Sequence, residues 1–217
     1  MDDANWSAVD AYLAERLLAE DPVLDRVRAA NDAAGLAAID VSPLQGQFLA
    51  LMVKISGAKR ILEIGTLGGY SAICMARVLP QDGELVTLEI DPETAAVAID
   101  NIAAAGLSER IEVRVGAALD TLGSLKGPFD LVFIDADKKN NAAYVEAALS
   151  LARSGTLIIV DNVVRDGALI DPTKTDPHTA GTRKMFDMLH RHPRLDSTAL
   201  QTVGVKGWDG LLMAVVR

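Results

Sequence analysis

The chain has 217 residues, 50% hydrophobic and 24% charged, enough to bury roughly 70% of its unfolded surface in one domain without a covalent or metal staple. Thirty acidic against 21 basic residues leave a net charge of −9; such a surface repels phosphate backbones and excludes a nucleic-acid partner, though local cations can still hold an acidic small molecule. The lone Cys74 has no disulfide partner, no apolar run is long enough to span a bilayer, and the acidic start Met1-Asp2-Asp3 is unlike a signal peptide, so the expectation is a cytoplasmic protein with no membrane partner.

Between residues 6 and 34, Val9, Tyr12, Leu13, Leu17, Leu24 and Val27 recur at helical spacing among charged residues. Pro22 after Asp21 predicts the start of a second helix, because a missing N–H costs nothing in a first turn. These amphipathic helices are expected to pack on the main domain or on a partner subunit. A polar connection over residues 31–40 follows, and Ser42-Pro43 predicts the start of the helix that runs through residues 48–55.

The stretch from Arg60 to Ser71 reads R-I-L-E-I-G-T-L-G-G-Y-S. Its apolar run breaks into Gly65, Gly68 and Gly69 and resumes as an apolar segment to Leu79, which predicts a strand, a glycine turn and a helix. Such a turn permits positive φ and close approach of a ligand, at which the first helical N–H groups point. Cys74, inside that helix, reads as core. A dinucleotide site would show Gly-x-Gly-x-x-Gly with an acid about 20 residues on. The order here is Glu63-x-Gly65-x-x-x-Gly69, and a carboxylate in the strand end repels a pyrophosphate but accepts from an ammonium. The pattern favours a cationic ligand without phosphate, of which S-adenosylmethionine is one.

Apolar strands then alternate with helical stretches, the pattern of a parallel sheet. The strand over residues 85–90 carries Glu89 at its carboxyl end, where it can accept both hydroxyls of a ribose. Asp91-Pro92 caps a helix over residues 93–105, closed by Gly106. A third strand, 111–115, leads to Gly116-Ala117-Ala118. The continuous apolar run 129–134 is a strand buried on both faces and ends in Asp135-Ala136-Asp137-Lys138. The strand over residues 156–160 ends in Asp161-Asn162. Parallel strands place all these ends on one edge, so Asp135, Asp161 and Asn162 converge as an oxygen-only set suited to Mg²⁺, or to Mn²⁺ or Ca²⁺, with no thiol or imidazole to select zinc. The Asp-, Gly-, Pro- and Thr-rich residues 163–180 read as a long loop, a lid that sets substrate choice, with Arg165 and Asp166 near the mouth and Lys174 steering an anion. A helix over residues 182–191 follows. His178, His190 and His192 are expected at the surface or as caps. The runs 197–203 and 210–216 form an antiparallel hairpin joined by residues 204–209.

The motif E-I-G-T-L-G-G-Y-S, with D-A-D-K and D-N downstream, resembles class I S-adenosylmethionine-dependent methyltransferases, in particular the small bacterial O-methyltransferases similar to caffeoyl-CoA and catechol O-methyltransferases; the resemblance covers about residues 35–217. It implies an α/β, Rossmann-like single domain over 1–217, with a mostly parallel seven-stranded sheet, an antiparallel C-terminal hairpin and helices on both faces. Residues 1–56 would be helices that cover the substrate and take part in a homodimer, and residues 57–217 the cofactor-binding core. The family pattern places S-adenosylmethionine against Val41, Glu63, Gly65, Thr66, Gly69, Ser71, Glu89, Ala118, Asp135, Asp137 and Tyr144. It places the divalent cation on Asp135, Asp161 and Asn162, and catalysis on Lys138 and Asp135, with a phenolic, catechol-like diol as substrate. Two positions depart from it: Ala117 stands where relatives often carry an adenine-binding Asp, and Asn141 where they often carry Tyr. A nicotinamide-dependent oxidoreductase is the competing enzyme, disfavoured by the missing dinucleotide pattern. A module that binds the cofactor without turnover is also open, opposed by Asp135, Lys138, Asp161 and Asn162.

Overall fold

A computed structural model describes residues 3–217, so Met1-Asp2 at the acidic start lies outside the described residues. Three helices come first: α1 (Asp3–Leu17), α2 (Pro22–Ala33) and α3 (Pro43–Ser56). The rest alternates: β1 (Arg60–Ile64), α4 (Tyr70–Ala76), β2 (Glu84–Glu89), α5 (Pro92–Ala104), β3 (Ile111–Val115), α6 (Ala118–Leu122), β4 (Phe129–Ile134), a 3₁₀ turn (Lys138–Asn140), α7 (Asn141–Ser150), β5 (Ala152–Asp161), α8 (Pro177–Leu189), β6 (Leu195–Gly204) and β7 (Gly207–Val216). The strands form one sheet in the order β3-β2-β1-β4-β5-β7-β6. β1 to β5 are parallel, and β7 runs antiparallel to both β5 and β6. The expected mostly parallel, seven-stranded sheet with an antiparallel C-terminal hairpin is therefore present.

Side-chain alternation splits the core between the two faces of the sheet. On one face Leu62, Ile64, Val132, Ile134, Ile158 and Val160 pack under α7 and α8. On the other, Ile61, Leu131, Phe133, Leu157 and Ile159 pack under α3, α4 and α5. Both faces being covered, these strands read as unbroken apolar runs.

Four helices begin alike, with an Asp or Ser cap followed by Pro. Asp21, Ser42, Asp91 and Asp176 each accept from backbone N–H groups of the turn they open, and the proline occupies a position with no N–H to satisfy. The fourth cap corrects the boundaries expected near the C-terminus. α8 starts at Pro177, not at residue 182, so the irregular segment after β5 ends at Asp176. The hairpin is also tighter than expected: β6 and β7 extend to Gly204 and Gly207, with Val205-Lys206 between them and Gly207 at φ +88°. The glycines at the tips, Gly204 and Gly207, read as loop in the sequence, because strand pairing there is decided by cross-strand neighbours.

The N-terminal helices pack unequally. α2 buries Val27 and Asn31 against the body, and its cap Asp21 forms an ion pair with Arg77 after α4. α1 leaves Val9, Tyr12 and Leu17 largely exposed. No helix among the described residues is long and apolar enough to cross a membrane.

Candidate functional site

The carboxyl ends of β1, β2, β4 and β5 lie along one edge, and two cavities open there. The first, about 650 Å³, is lined by Gly65, Thr66, Ser71, Glu89, Ala118, Asp137, Lys138 and Tyr144. The second, about 550 Å³, is lined by Leu44, Gln45, Phe48, Asp161, Leu200, Val203 and Met213. Ile39, Asp40, Val41, Asp135 and Asn162 line both, so the acidic tip of β4 stands where the cavities join.

The first cavity is built on the glycine turn. Gly65 has φ +101°, and a Cβ there would sit 2.4 Å from the carbonyl oxygen of Asp135. The glycine therefore lets the exits of β1 and β4 cross, besides admitting a ligand. Gly68 is equally constrained: a Cβ would fall 1.9 Å from Oδ1 of Asn31. Asn101 on α5 donates to Asn31 Oδ1 and to the Gly68 carbonyl, both at 2.9 Å, and Asn31 donates to Asp40 at 2.9 Å. This buried amide chain ties α2 to the turn. Isolated Asn residues in helical periods carried no signal for it.

Glu89 accepts from the backbone N–H of Leu67 at 2.9 Å and of Asp91 at 3.1 Å, and it faces the first cavity with lone pairs to spare. Asp137 accepts from the Tyr144 hydroxyl and, at 2.7 Å, from Asn140. Burial, then the bond to Asp137, raise the Tyr144 pKa. Ala117 and Ala118 line the same cavity beyond Glu89.

Two residues expected at the cofactor line neither cavity. Gly69, at φ +84°, starts α4 and packs on Ala98 and Ile102 of α5. Glu63 is fully buried, and its oxygens accept from Ser71 Oγ and Thr87 Oγ1, each at 2.6 Å. A strand end predicts a side chain that meets ligand, but the alternation turns Glu63 under α4. Burial pushes its carboxyl from 4.5 up to about 8, against the two hydroxyl donors that lower it. The folded chain thus holds a proton that the unfolded chain releases near 4.5. That stability is complete below the unfolded value and is lost as pH rises through about 8. The thermal midpoint of ligand-free protein is expected to fall from about pH 5 to 8, and Glu63→Gln to flatten the slope; equal slopes would place the titration elsewhere.

At the junction, Lys138 is buried at 6% exposure and its Nζ lies 2.5 Å from Asp135 Oδ1. Asp161, also buried, accepts from Gln45 Nε2 at 2.6 Å and from the Asn162 backbone N–H at 2.7 Å. Burial, and then repulsion from Asp135, raise the Asp161 carboxyl. Asp135, Asp161 and Asn162 line one cavity, and two carboxylates with an amide oxygen are donors whose chemistry fits a hard divalent cation. Among the described residues no cluster of three or more His, Cys, Asp or Glu is placed to hold a metal.

The second cavity is mostly apolar and is closed by non-local contacts. Asp10 of α1 accepts from the Val205 N–H at 2.8 Å, and Lys206 donates to the Ala38 carbonyl at 2.9 Å, which joins the N-terminal segment to the hairpin turn. After β5, Asn162, Arg165 and Asp166 have positive φ, and Asp209 accepts from the N–H groups of Val164 and Arg165 at 3.0 Å. Arg165 lines the first cavity; Lys174, expected to steer an anion, lines neither. His178, expected at the surface, is half-buried and lines the first cavity; the Asp176-Pro177 cap was the signal that placed it in a first helical turn. Asn141 is fully buried and lines neither cavity, and its side-chain amide has no hydrogen-bond partner among the described residues.

Comparison with known proteins bears on this site. Residues 14–215 match the O-methyltransferase family model. A catechol O-methyltransferase of Mycobacterium tuberculosis is 51% identical over 210 residues, 96% of this chain and 95% of the relative. A catechol O-methyltransferase of Niastella koreensis is 47% identical over 221 residues and covers all of both chains. The solved O-methyltransferase from Bacillus cereus in complex with SAH is 52% identical, with a TM-score of 0.98 over the full length of both chains.

Proposed function

This chain belongs to the O-methyltransferase family, and from that premise we propose that it transfers the methyl group of S-adenosylmethionine to one hydroxyl of a catechol-like diol, with a divalent cation at Asp135, Asp161 and Asn162. The observation that carries the reading is the junction: Asp135 and Asn162 line both of two adjoining cavities, one edged by Glu89, Asp137 and Lys138 and the other by Leu44, Phe48, Leu200 and Met213. A transferase needs two ligands to meet at one point. The similarity to a protein solved with SAH, S-adenosylhomocysteine, supports the first cavity, built on the glycine turn, as the cofactor's.

In this cavity Glu89 accepts the ribose hydroxyls, as a carboxylate with free lone pairs can. Val41, Gly65, Thr66 and Ser71 surround the amino-acid end, where Glu63 acts through Ser71 rather than by touching the ligand. Asp137 and Tyr144 form the opposite wall, and backbone near Ala118 takes the adenine in place of an acid at Ala117. The sulfonium supplies the methyl and leaves as a neutral thioether, so the driving force lies in the donor.

Leu44, Phe48, Leu200 and Met213 hold the ring of the diol in the apolar cavity and exclude water. A bound Mg²⁺, or Mn²⁺ or Ca²⁺, would polarise the two adjacent hydroxyls and lower the pKa of the one that reacts. Lys138, buried next to Asp135, is placed to take the proton that the reacting hydroxyl loses or, already protonated, to stabilise the phenolate that remains. Holding oxygen and methyl in line contributes the larger share, up to roughly 7–11 kcal/mol.

Labelled S-adenosylmethionine offered with catechols, hydroxycinnamates and their CoA esters in the presence of Mg²⁺ is expected to label a diol. Calorimetry is expected to show binding of S-adenosylhomocysteine and none of NAD. A protein that binds the thioether yet labels no diol would be a silent cofactor-binding module.

A further inference from the structure

Gln45 is the third residue of α3, three positions after its cap Ser42. The order Ser42-Pro43-Leu44-Gln45 is that of a capping box, in which a glutamine at this place turns back to the backbone N–H of the cap. Ser42 fulfils its half and accepts from the Gln45 N–H at 3.2 Å. The glutamine side chain is committed elsewhere. Its Nε2 spans 116 residues of sequence to donate to Asp161 Oδ2 at 2.6 Å.

The other oxygen, Oδ1, accepts from the Asn162 backbone N–H at 2.7 Å. The carboxylate at the tip of β5 therefore has one donor on each oxygen, and its rotation about the terminal bond is set. The two donors differ in kind. The backbone donor comes with the strand, whereas the amide arrives from a helix outside the parallel sheet. A glutamate at this position would bring a third carboxylate to the Asp135–Asp161 pair, so a neutral donor is the choice that leaves the pair free to share one cation.

We infer that Gln45 is a positioning residue for the divalent cation: it orients the Asp161 carboxylate from α3 and so sets the affinity of the site. The inference rests on the reading of Asp135, Asp161 and Asn162 as the cation's ligands. A donor that orients a ligating carboxylate typically changes metal affinity by about 10–100-fold when lost.

Two variants of the full chain separate this role from packing. Gln45→Met keeps the length of the side chain without the donor, and Gln45→Ala removes both. Free Mn²⁺ is counted by electron paramagnetic resonance, and S-adenosylhomocysteine affinity is measured by calorimetry. Val41, one residue before the Ser42 cap, lines the cofactor cavity, so damage to the start of α3 would register in the second measurement. Both variants are expected to bind Mn²⁺ about 10–100-fold more weakly than the parent, with S-adenosylhomocysteine affinity within about twofold. Mn²⁺ affinity unchanged in either variant overturns the role of Gln45, as does a parallel loss of both ligands, which would mark a packing residue. A parent protein that binds S-adenosylhomocysteine but no Mn²⁺ overturns instead the cation reading beneath it.

Discussion

Asp135→Asn is expected to lower the rate of methyl transfer by about a thousandfold, and excess chelator to bring the parent enzyme to a similar level. A phenol with a pKa near 10 is ionised about once in a thousand molecules at neutral pH, and lowering that pKa by about three units is worth roughly 4 kcal/mol. Coordination by a divalent cation lowers the pKa of a bound oxygen acid in this way, as metal-bound water shows. Asparagine is preferred to alanine for a structural reason. Asp135 is the ion-pair partner of buried Lys138, and alanine would leave that buried group without an acceptor as well as without its counter-charge, which destabilises the fold further. Asparagine still accepts from Lys138 but brings no charge to a cation. Affinity for S-adenosylhomocysteine, measured on the same preparation, shows that the cavity survives. Full turnover by the parent in excess chelator would sink the cation at Asp135, Asp161 and Asn162 while leaving the cofactor cavity in place.

Lys138→Met is expected to lower kcat by about 10²–10⁴-fold, the range for a positioned proton-transfer group, with a much smaller effect on KM. The methionine fills a similar volume at this buried site, and Mn²⁺ binding is expected to persist because Lys138 is not among the oxygen donors. A group that acts only as the reacting oxygen becomes negative lowers kcat and kcat/KM together, whereas one that merely holds the substrate raises KM. The two substitutions should also fail to add. Both act on the same oxygen, and residues that work as a unit show strong coupling in a double-mutant cycle. A kcat within tenfold of the parent would remove Lys138 from the chemistry and leave it as the counter-charge of Asp135.

Much of the site could be read from neighbouring residues. Glu89, Asp135 and Asp161 are each the polar end of an apolar run, and a parallel sheet puts such ends on one edge whatever else the chain does. The cap-and-proline pairs at Asp21, Ser42 and Asp91 were legible for the same local reason, and the pair at Asp176 carried the same signal, overlooked among the loop-like residues around it. Glu63 was read as ligand-facing because its place at the strand end was visible but the face it turns to was not. Only the packing of α4 shows that Ser71 and Thr87 take both its oxygens.

What the chain determined by itself is the alternation of strand and helix, the glycine turn and the acidic strand tips, since these depend on residues within a few positions of one another. The tertiary structure alone decided that Gln45 meets Asp161, that Asn31 and Asn101 brace Gly68, and that Asp10 reaches the hairpin turn to wall the second cavity. Each of these joins residues 33 to 195 positions apart, and their approach is set by how helices dock on a twisted sheet, which hydrophobic period does not encode.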